Sequence, residues 1–97
     1  MKYYIQVDAR ATSDVEKAAE YYENQQKGLG DRFIDAVEKH LDYLLKTAHY
    51  QVRYKNVRAL LVQPFPFMIH FTIDEKNHLI KVHAIIHTSL DPNKNWL

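Results

Sequence analysis

Apolar and polar residues alternate in three stretches of the chain, and this period of two predicts β-strands. The stretches are residues 2–8, residues 67–74 and residues 79–87. One set of side chains in each stretch is apolar and is expected to face a core. The expected core-facing residues are Tyr3, Ile5 and Val7; Phe67, Ile69, Phe71 and Ile73; and Ile80, Val82, Ala84 and Ile86. The sequence therefore predicts three half-buried strands.

A fourth strand is predicted within residues 50–63, after an irregular approach. Its core-facing side is ambiguous, because Ala59 and Leu61 alternate with Leu60 and Val62 and both pairs are apolar. The sequence thus predicts the strand without deciding which of its faces is buried.

Two helices are predicted between the first two strands by apolar residues spaced three and four apart. Thr12 or Ser13 is expected to cap the first helix, so that Asp14 and Glu16 lie in its first turn, where the helix dipole favours acids. The second helix is predicted over residues 31–48. The expected buried stripes are Val15, Ala18, Ala19 and Tyr22 on the first helix, and Phe33, Val37, Leu41 and Leu44, widened by Ile34 and Leu45, on the second.

Both glycines of the sequence lie in the segment GLG, residues 28–30, where a left-handed helix cap and a chain reversal cost least. A helical hairpin is therefore predicted, and the element order is β-α-α-β-β-β. This order predicts an α+β fold in which the hairpin packs on one face of a small, mainly antiparallel sheet and leaves the other face partly open. With 97 residues, a single domain over residues 1–97 is expected.

The open face of the sheet is expected to carry a group of polar residues. If the last two strands pair so that their core-facing residues coincide, Phe71 lies opposite Val82 and His70 opposite His83. Arg58 is expected to join them from the preceding strand. The same register pairs Thr72 with Lys81 and Met68 with Ile85. Two histidines and a cation are thus predicted on one surface.

Composition narrows the classes of protein. No stretch of 18 apolar residues exists and the chain enters a strand pattern at once, so neither a membrane span nor a signal peptide is expected and a cytoplasmic location is predicted. The absence of cysteine excludes disulfides and thiolate metal sites. Residues 49–97 hold six Lys and Arg against three acids, far short of the basic stripe of a general nucleic-acid binder.

Four stretches together resemble the RelE/ParE superfamily of small toxins from bacterial toxin–antitoxin operons. They are the opening strand, DVEKAAEYYENQQKGLGDRFIDAVEKHLDYLLKTA, YKNVRALLVQPFPFMIHFTID and VHAIIHTSLDPNKNW. The most specific parts are the YYE…GLGDRF junction, Arg58 followed by Pro-Phe-Pro-Phe, and the closing His87, Asp91-Pro92 and Trp96. The resemblance covers nearly the whole chain, and the helical hairpin with its GLG turn favours the ParE-like branch.

The resemblance implies a cognate antitoxin, usually encoded beside the toxin, whose extended or helical segment wraps it. ParE-like members poison DNA gyrase by binding, whereas RelE-like members bind the ribosomal A site and cut mRNA. A toxin without its antitoxin is expected to self-associate through an exposed hydrophobic groove. The residues expected at the partner-binding surface are Arg58, His70, His83, His87, Leu90 and Trp96.

The RelE-type catalytic set is not carried over by the resemblance. The strand PFPFMIHF contains no Lys or Arg, Leu90 stands where similar proteins commonly place Arg, and no tyrosine lies beyond Tyr54. Two imidazoles near an unperturbed pKa of about 6.5 are able to act as base and acid. The candidates for such a ribonuclease are His70, His83, His87 and Arg58, and the alternative is that the three histidines lie on the surface of the sheet without a catalytic role.

Two further alternatives remain open from the sequence. Leu90 is also consistent with a binding module that has lost toxicity. Trp96 is expected either to anchor the tail or to contact the antitoxin, since Trp is favoured at buried interface centres. The histidines lack a nearby carboxylate at a diagnostic spacing, so no metal and no cofactor are predicted.

Overall fold

The computed structural model describes the backbone of residues 2–51 and 58–90 and the side chains of residues 2–47 and 58–90. Within these ranges, four strands and two α-helices follow the predicted order β-α-α-β-β-β. The elements are β1 (Tyr4–Val7), α1 (Ala9–Gln25), α2 (Leu29–Gln51), β2 (Arg58–Leu61), β3 (Phe67–Asp74), β4 (Leu79–His87) and a 3-10 turn at Thr88–Leu90. The predicted α+β fold is confirmed. Residues 50 and 51, expected in the irregular approach to the fourth strand, belong to α2 instead, and residues 52–57 lie outside the described part.

The four strands form one mixed sheet in the order β1-β4-β3-β2. β1 lies parallel to β4, with Tyr4 beside Leu79 and Val7 beside Val82, while β4, β3 and β2 run antiparallel in succession. β1 and β2 are therefore the two edges of the sheet.

Asp8 caps α1, one turn before the predicted start of the helix. Its backbone is extended and its side chain accepts a hydrogen bond from the Arg10 N–H at 3.4 Å. The expected caps Thr12 and Ser13 lie inside the helix instead, because Asp is as good an N-cap as Ser and stands directly at the end of β1. Asp14 is thereby moved out of the first turn and is free to contact another element.

The turn between the helices depends on Gly28, Gly30 and the carboxylate of Glu23. Gly28 has a φ of +88°, which side chains of L-residues rarely adopt. A Cβ on Gly30 would lie 2.6 Å from the carbonyl oxygen of Ala19, so the glycine permits the close approach of α2 to α1. Glu23 accepts hydrogen bonds from the N–H groups of Gly28 and Gly30 at 3.0–3.1 Å, satisfying donors at the start of α2.

The core lies between the helical hairpin and one face of the sheet. The predicted apolar stripes of α1 and α2 both contribute to this core. Leu45, which was expected to widen the stripe of α2, is 36% exposed and does not belong to it. Val62 is fully buried and Leu60 packs against the core, which settles the ambiguous face of β2. The other buried hydrophobic residues are Tyr3, Ala11, Ala18, Ala19, Phe33, Val37, Leu44, Ile69, Phe71, Ile80, Val82, Ala84 and Ile85.

A β-bulge in β4 changes the predicted register. Phe71 pairs with Val82 and Thr72 with Lys81, as expected, but His70 pairs with Ala84. His83 is therefore the extra residue of the bulge. Beyond it the alternation of β4 is inverted: Ile85 pairs with Ile69 and is 1% exposed, while Ile86 pairs with Met68. The expected pairs His70 with His83 and Met68 with Ile85 are wrong, as is the expectation that Ala84 and Ile86 face the core and Ile85 the open side, because Ala84 pairs with the outward-facing His70.

Candidate functional site

Arg58 lies on the helix-facing side of the sheet and not on the open face. It pairs with Phe71, which is 2% exposed in the core, and opposite residues of antiparallel strands project from the same face. Arg58 and Phe71 also line one cavity together with Tyr43 of α2. The expectation that Arg58 joins the histidines is therefore wrong, because the register of β2 places it on the other side.

His70 is almost completely buried. Its side chain is 5% exposed although it projects from the face opposite to the core residues Ile69 and Phe71. Its neighbours across the sheet are Ala59 on β2 and Ala84 on β4. His70 is thus surrounded by small side chains of the two flanking strands, and the structure does not place it opposite His83.

His83 projects from the bulge and contacts a hydroxyl group. Its Nε2 atom lies 2.8 Å from Oγ1 of Thr72, and both side chains are half-buried. The bulge gives His83 this position because an extra residue has no direct partner on β3. The contact holds the ring in place and engages one of its two nitrogens.

His87 lies at the other end of β4, on the helix-facing side. It pairs with Phe67, and the two rings are 5.4 Å apart at 77°. Its Nδ1 atom accepts a hydrogen bond from the N–H of Ser89 at 3.0 Å, with the Ser89 hydroxyl 2.9 Å away. The alternation that was expected to turn Ile86 towards the core places His87 on the open face, and this expectation is wrong, because the bulge inverts the faces of β4 after His83. The three histidines and Arg58 consequently do not converge on one point.

Phe67 connects His87 to an aromatic cluster beneath the helical hairpin. Its ring lies 5.0 Å from that of Phe33 and 6.0 Å from that of Tyr22, and Phe65 lies 4.9 Å from Tyr22. Burial, with a contribution from the adjacent Tyr21, raises the pKa of the Tyr22 phenol. Tyr22 therefore packs against the core, as its helical spacing predicted.

Leu90 is exposed and Trp96 lies outside the described residues. Leu90 ends the 3-10 turn and is 60% exposed. The start of this turn is held by a hydrogen bond from the Thr88 N–H to the Pro66 carbonyl at 2.9 Å. An exposed leucine next to the end of β4 is available for contact with another molecule.

A groove runs between α2 and β2, and we call it the β2 groove. One part has a volume of about 450 Å³ and a second part about 400 Å³. Tyr43 and Leu60 line both parts. The remaining lining residues are Lys39, His40, Leu61 and Gln63 in the first part and Leu44, Thr47, Arg58, Ala59 and Phe71 in the second. Tyr43 is 53% and Leu61 38% exposed, so large apolar groups meet solvent there.

Sequence reasoning identified Arg58 but missed the rest of this groove. Tyr43 lies outside the apolar stripe of α2, and an isolated exposed tyrosine is ordinary. Leu61 belonged to the ambiguous face of β2. The sequence does contain one signal for the groove: after Arg58, in the segment RALLV, both faces of the strand are apolar.

The open face carries a polar pair near the β3–β4 turn. The carboxylate of Asp74 accepts hydrogen bonds from the side chain of Asn77 at 2.9 Å and from its backbone N–H at 3.1 Å. These bonds, with a smaller contribution from Lys81 at 3.7 Å, hold the pKa of Asp74 below its ordinary value. Asp74 is therefore ionised at neutral pH and stabilises the turn.

Neither a metal site nor a membrane helix is found in the part of the chain that the structure describes. No three His, Cys, Asp or Glu side chains within residues 2–47 and 58–90 are grouped so that they could hold a metal ion. No helix in the described ranges combines the length and hydropathy needed to cross a bilayer.

Comparison with known proteins identifies the family. No curated protein matches the chain. Among solved structures, the fold is similar to a chain described as "Chromosomal ParDE TA system from P. aeruginosa", with a TM-score of 0.75 and 14% identity over 89% of this chain and 96% of that one. The family described as the ParE toxin of the type II toxin–antitoxin system parDE matches residues 5–92. The chain therefore belongs to the ParE toxin family of type II toxin–antitoxin systems, as the resemblance indicated.

Proposed function

We propose that the protein acts in the bacterial cytoplasm as a ParE-type toxin that inhibits DNA gyrase by binding it, and that a cognate antitoxin neutralises it. The family match over residues 5–92 carries this proposal. A toxin of this kind requires no cofactor, because it inhibits its target by binding and not by a chemical reaction. Without the antitoxin, the apolar β2 groove is free to associate with a second copy.

The positions of the candidate catalytic residues favour binding over RNA cleavage. Cleavage requires a base, an acid and a group that stabilises the pentacovalent phosphate, all within reach of one phosphate. His70 is buried, His83 contacts Thr72 on the open face, and Arg58 lies on the helix-facing side. These groups do not face a common phosphate, so a histidine-based ribonuclease receives no support from the geometry.

The test is growth after induction of the protein alone and together with the product of the adjacent reading frame. We expect arrest that the neighbour relieves, inhibition of DNA supercoiling by purified gyrase in the presence of the toxin, and uncut transcripts. Arrest with cleaved mRNA and normal supercoiling would replace gyrase by the ribosome as target.

A harmless wild-type protein would instead indicate a module that has lost toxicity. The variant Leu90→Arg then becomes informative, since position 90 is exposed and similar proteins commonly place Arg there. Gain of toxicity in this variant would identify the tail as the missing element. Continued growth with both proteins would remove the gyrase proposal.

A further inference from the structure

The outer edge of β1 has backbone groups that β4 does not use. Tyr4 and Asp8 each donate their N–H to a carbonyl oxygen in or next to β4, at 2.9 Å. Alternate residues of a strand bond to the same neighbour, so the N–H and C=O groups of Tyr3, Ile5 and Val7 point away from β4. Within residues 2–51 and 58–90, no strand pairs with β1 on that side. This edge therefore offers donors and acceptors to another strand.

The side chains of β1 are open to solvent as well. Tyr4 is 58% and Val7 39% exposed, and Gln6 is exposed beside them. An edge strand with unused backbone groups and exposed apolar side chains is a template for pairing with another chain. β1 and β2 are opposite edges of the sheet, so an occupant of the β1 edge leaves the β2 groove uncovered.

The β1 edge is complementary to a copy of itself that runs antiparallel. In an antiparallel ladder, a hydrogen-bonded pair forms only where both residues turn their backbone groups towards the other strand. A two-fold axis at Ile5 meets this condition for all three outward-pointing residues, because it sets Ile5 opposite Ile5 and Tyr3 opposite Val7. An axis at Tyr4 or Gln6 would leave one of the three without an outward-pointing partner among residues 3–7. The backbone therefore selects one register.

The same axis brings opposite charges together. It sets Lys2 of one copy opposite Asp8 of the other, and the symmetry forms this pair twice. Both side chains are exposed, and the Lys2 ammonium lies 5.7 Å from the centre of the Tyr4 ring. The Arg10 N–H occupies one carboxylate oxygen of Asp8 and leaves the second for another donor. Opposite charges on opposed residues stabilise an antiparallel pair and like charges destabilise it, so the charges favour the register that the backbone selects.

We infer that a second copy of this chain pairs with the β1 edge through its own β1, so that the two four-stranded sheets become one continuous sheet. On the helix-facing side, Ile5 meets Ile5 at the axis and Val7 meets Tyr3. On the open side, Lys2 meets Asp8. The two helical hairpins lie on the same side of the joined sheet, because the two-fold axis of such a pair runs perpendicular to the sheet. The inference does not depend on gyrase inhibition, and it places self-association at the edge opposite the β2 groove.

Disulfide cross-linking tests the register, since the sequence contains no cysteine. Tyr4 faces Gln6 of the second copy at a Cα separation of about 4.5 Å, within the range of a disulfide. Two copies of Tyr4, or two of Gln6, lie diagonally at about 7–8 Å. The variants Tyr4→Cys and Gln6→Cys are therefore expected to form linked dimers about ten times faster when mixed under oxidising conditions than either does alone. A mixture no faster than the single variants would overturn the inference.

Analytical ultracentrifugation of the full chain measures the strength of the dimer. Lys2→Glu sets like charges opposite each other twice, so we expect the dissociation constant to rise about tenfold. Lys27→Glu, the same change at an exposed lysine in the turn between the helices, is the matched control and is expected to have no effect. A dimer that Tyr43→Ala abolishes and Lys2→Glu retains would place the second copy in the β2 groove and overturn the inference.

A pair of variants at position 7 tests the backbone pairing. Val7→Pro removes an outward N–H, which an edge strand tolerates, and Val7→Thr retains it. We expect the folded proline variant to be monomeric where the wild type and the threonine variant are dimeric. If the proline variant does not fold, the cysteine mixture decides alone. A wild type that remains monomeric at about 1 mM would also overturn the inference, while the proposed function would stand.

Discussion

The carboxylate of Asp14 on α1 accepts a hydrogen bond from the backbone N–H of Ile85 on β4 at 3.0 Å, across 71 residues of sequence. β1 pairs with β4 only as far as Val82, so beyond that residue no strand within residues 2–51 and 58–90 lies along this edge of β4. Asp14 takes the place of that missing strand with a single side chain. The bond also fixes Ile85 just after the bulge, where the inverted face of β4 begins.

Replacing Asp14 by Ala is expected to destabilise the fold. The change leaves the buried edge N–H of Ile85 without its acceptor and removes a charge-assisted bond, a loss of about 1–3 kcal/mol in the free energy of unfolding. Urea unfolding of Asp14→Ala measures it, with Glu16→Ala, an exposed acid on the same helix, as control. Equal stability of the two variants would show that the bond contributes nothing.

The two glycines of the hairpin are expected to differ in their response to alanine. Gly30→Ala drives a Cβ against the Ala19 carbonyl and should cost about 2–3 kcal/mol, in the range of overpacked sites. Gly28→Ala meets no atom within 4 Å and incurs only the strain of a left-handed φ, about 1–2 kcal/mol. Thermal unfolding of both variants checks the order, and a Gly28 variant less stable than the Gly30 variant would contradict it.

The turn around Asp74 makes stability depend on pH in the acid range. Because the pKa of Asp74 is lowered in the folded state, its contribution is present above the unfolded pKa of about 3.9 and is lost as the pH falls through the folded pKa. Asn77→Ala removes the hydrogen bond from the Asn77 side chain, which contributes most to the lowered pKa. The pKa of Asp74 should therefore rise towards its ordinary value, and the free energy of unfolding should fall less between neutral and acid pH.

NMR titration of the Asp74 carboxyl measures this change. Lys81→Gln is the matched comparison and is expected to raise the pKa of Asp74 less, because Lys81 contributes less than Asn77. A larger rise in the Lys81 variant would make the ion pair the main cause.

Toxicity is expected to survive His83→Ala. The side chain contacts Thr72 on the open face, away from Arg58 and the β2 groove, and the proposed function assigns it no chemistry. Growth after induction measures the outcome, with His87→Ala as a second variant at the other end of β4. Loss of toxicity in a folded His83 variant, accompanied by loss of transcript cleavage, would restore the ribonuclease.

The sequence predicted the elements well because each depends on local patterns. The apolar stripes of α1 and α2 and the alternation of β3 are signals repeated over many residues, and the two glycines of GLG mark the turn between the helices. The order of the strands and the parallel pairing of β1 with β4 depend on contacts between distant residues, and the local pattern does not specify them.

The bulge at His83 explains most of the errors at the candidate site. In the segment VHAIIH, Ile85 and Ile86 are both apolar, so an inserted residue leaves no mark on the alternation. One extra residue was enough to make Ala84, and not His83, the partner of His70 and to turn His87 towards Phe67. Candidate residues taken from strand alternation alone are therefore sensitive to a single irregularity.

The parallel pairing of β1 with β4 has a consequence for synthesis of the protein. Residues 4–7 cannot complete their ladder until residues 79–82 have left the ribosome. A nascent chain that has only emerged through α2 can form the helical hairpin, but its apolar stripes have no sheet to cover them. The complete sheet is therefore assembled only after most of the chain has been translated, so a partner that recognises the folded sheet can bind only late in synthesis.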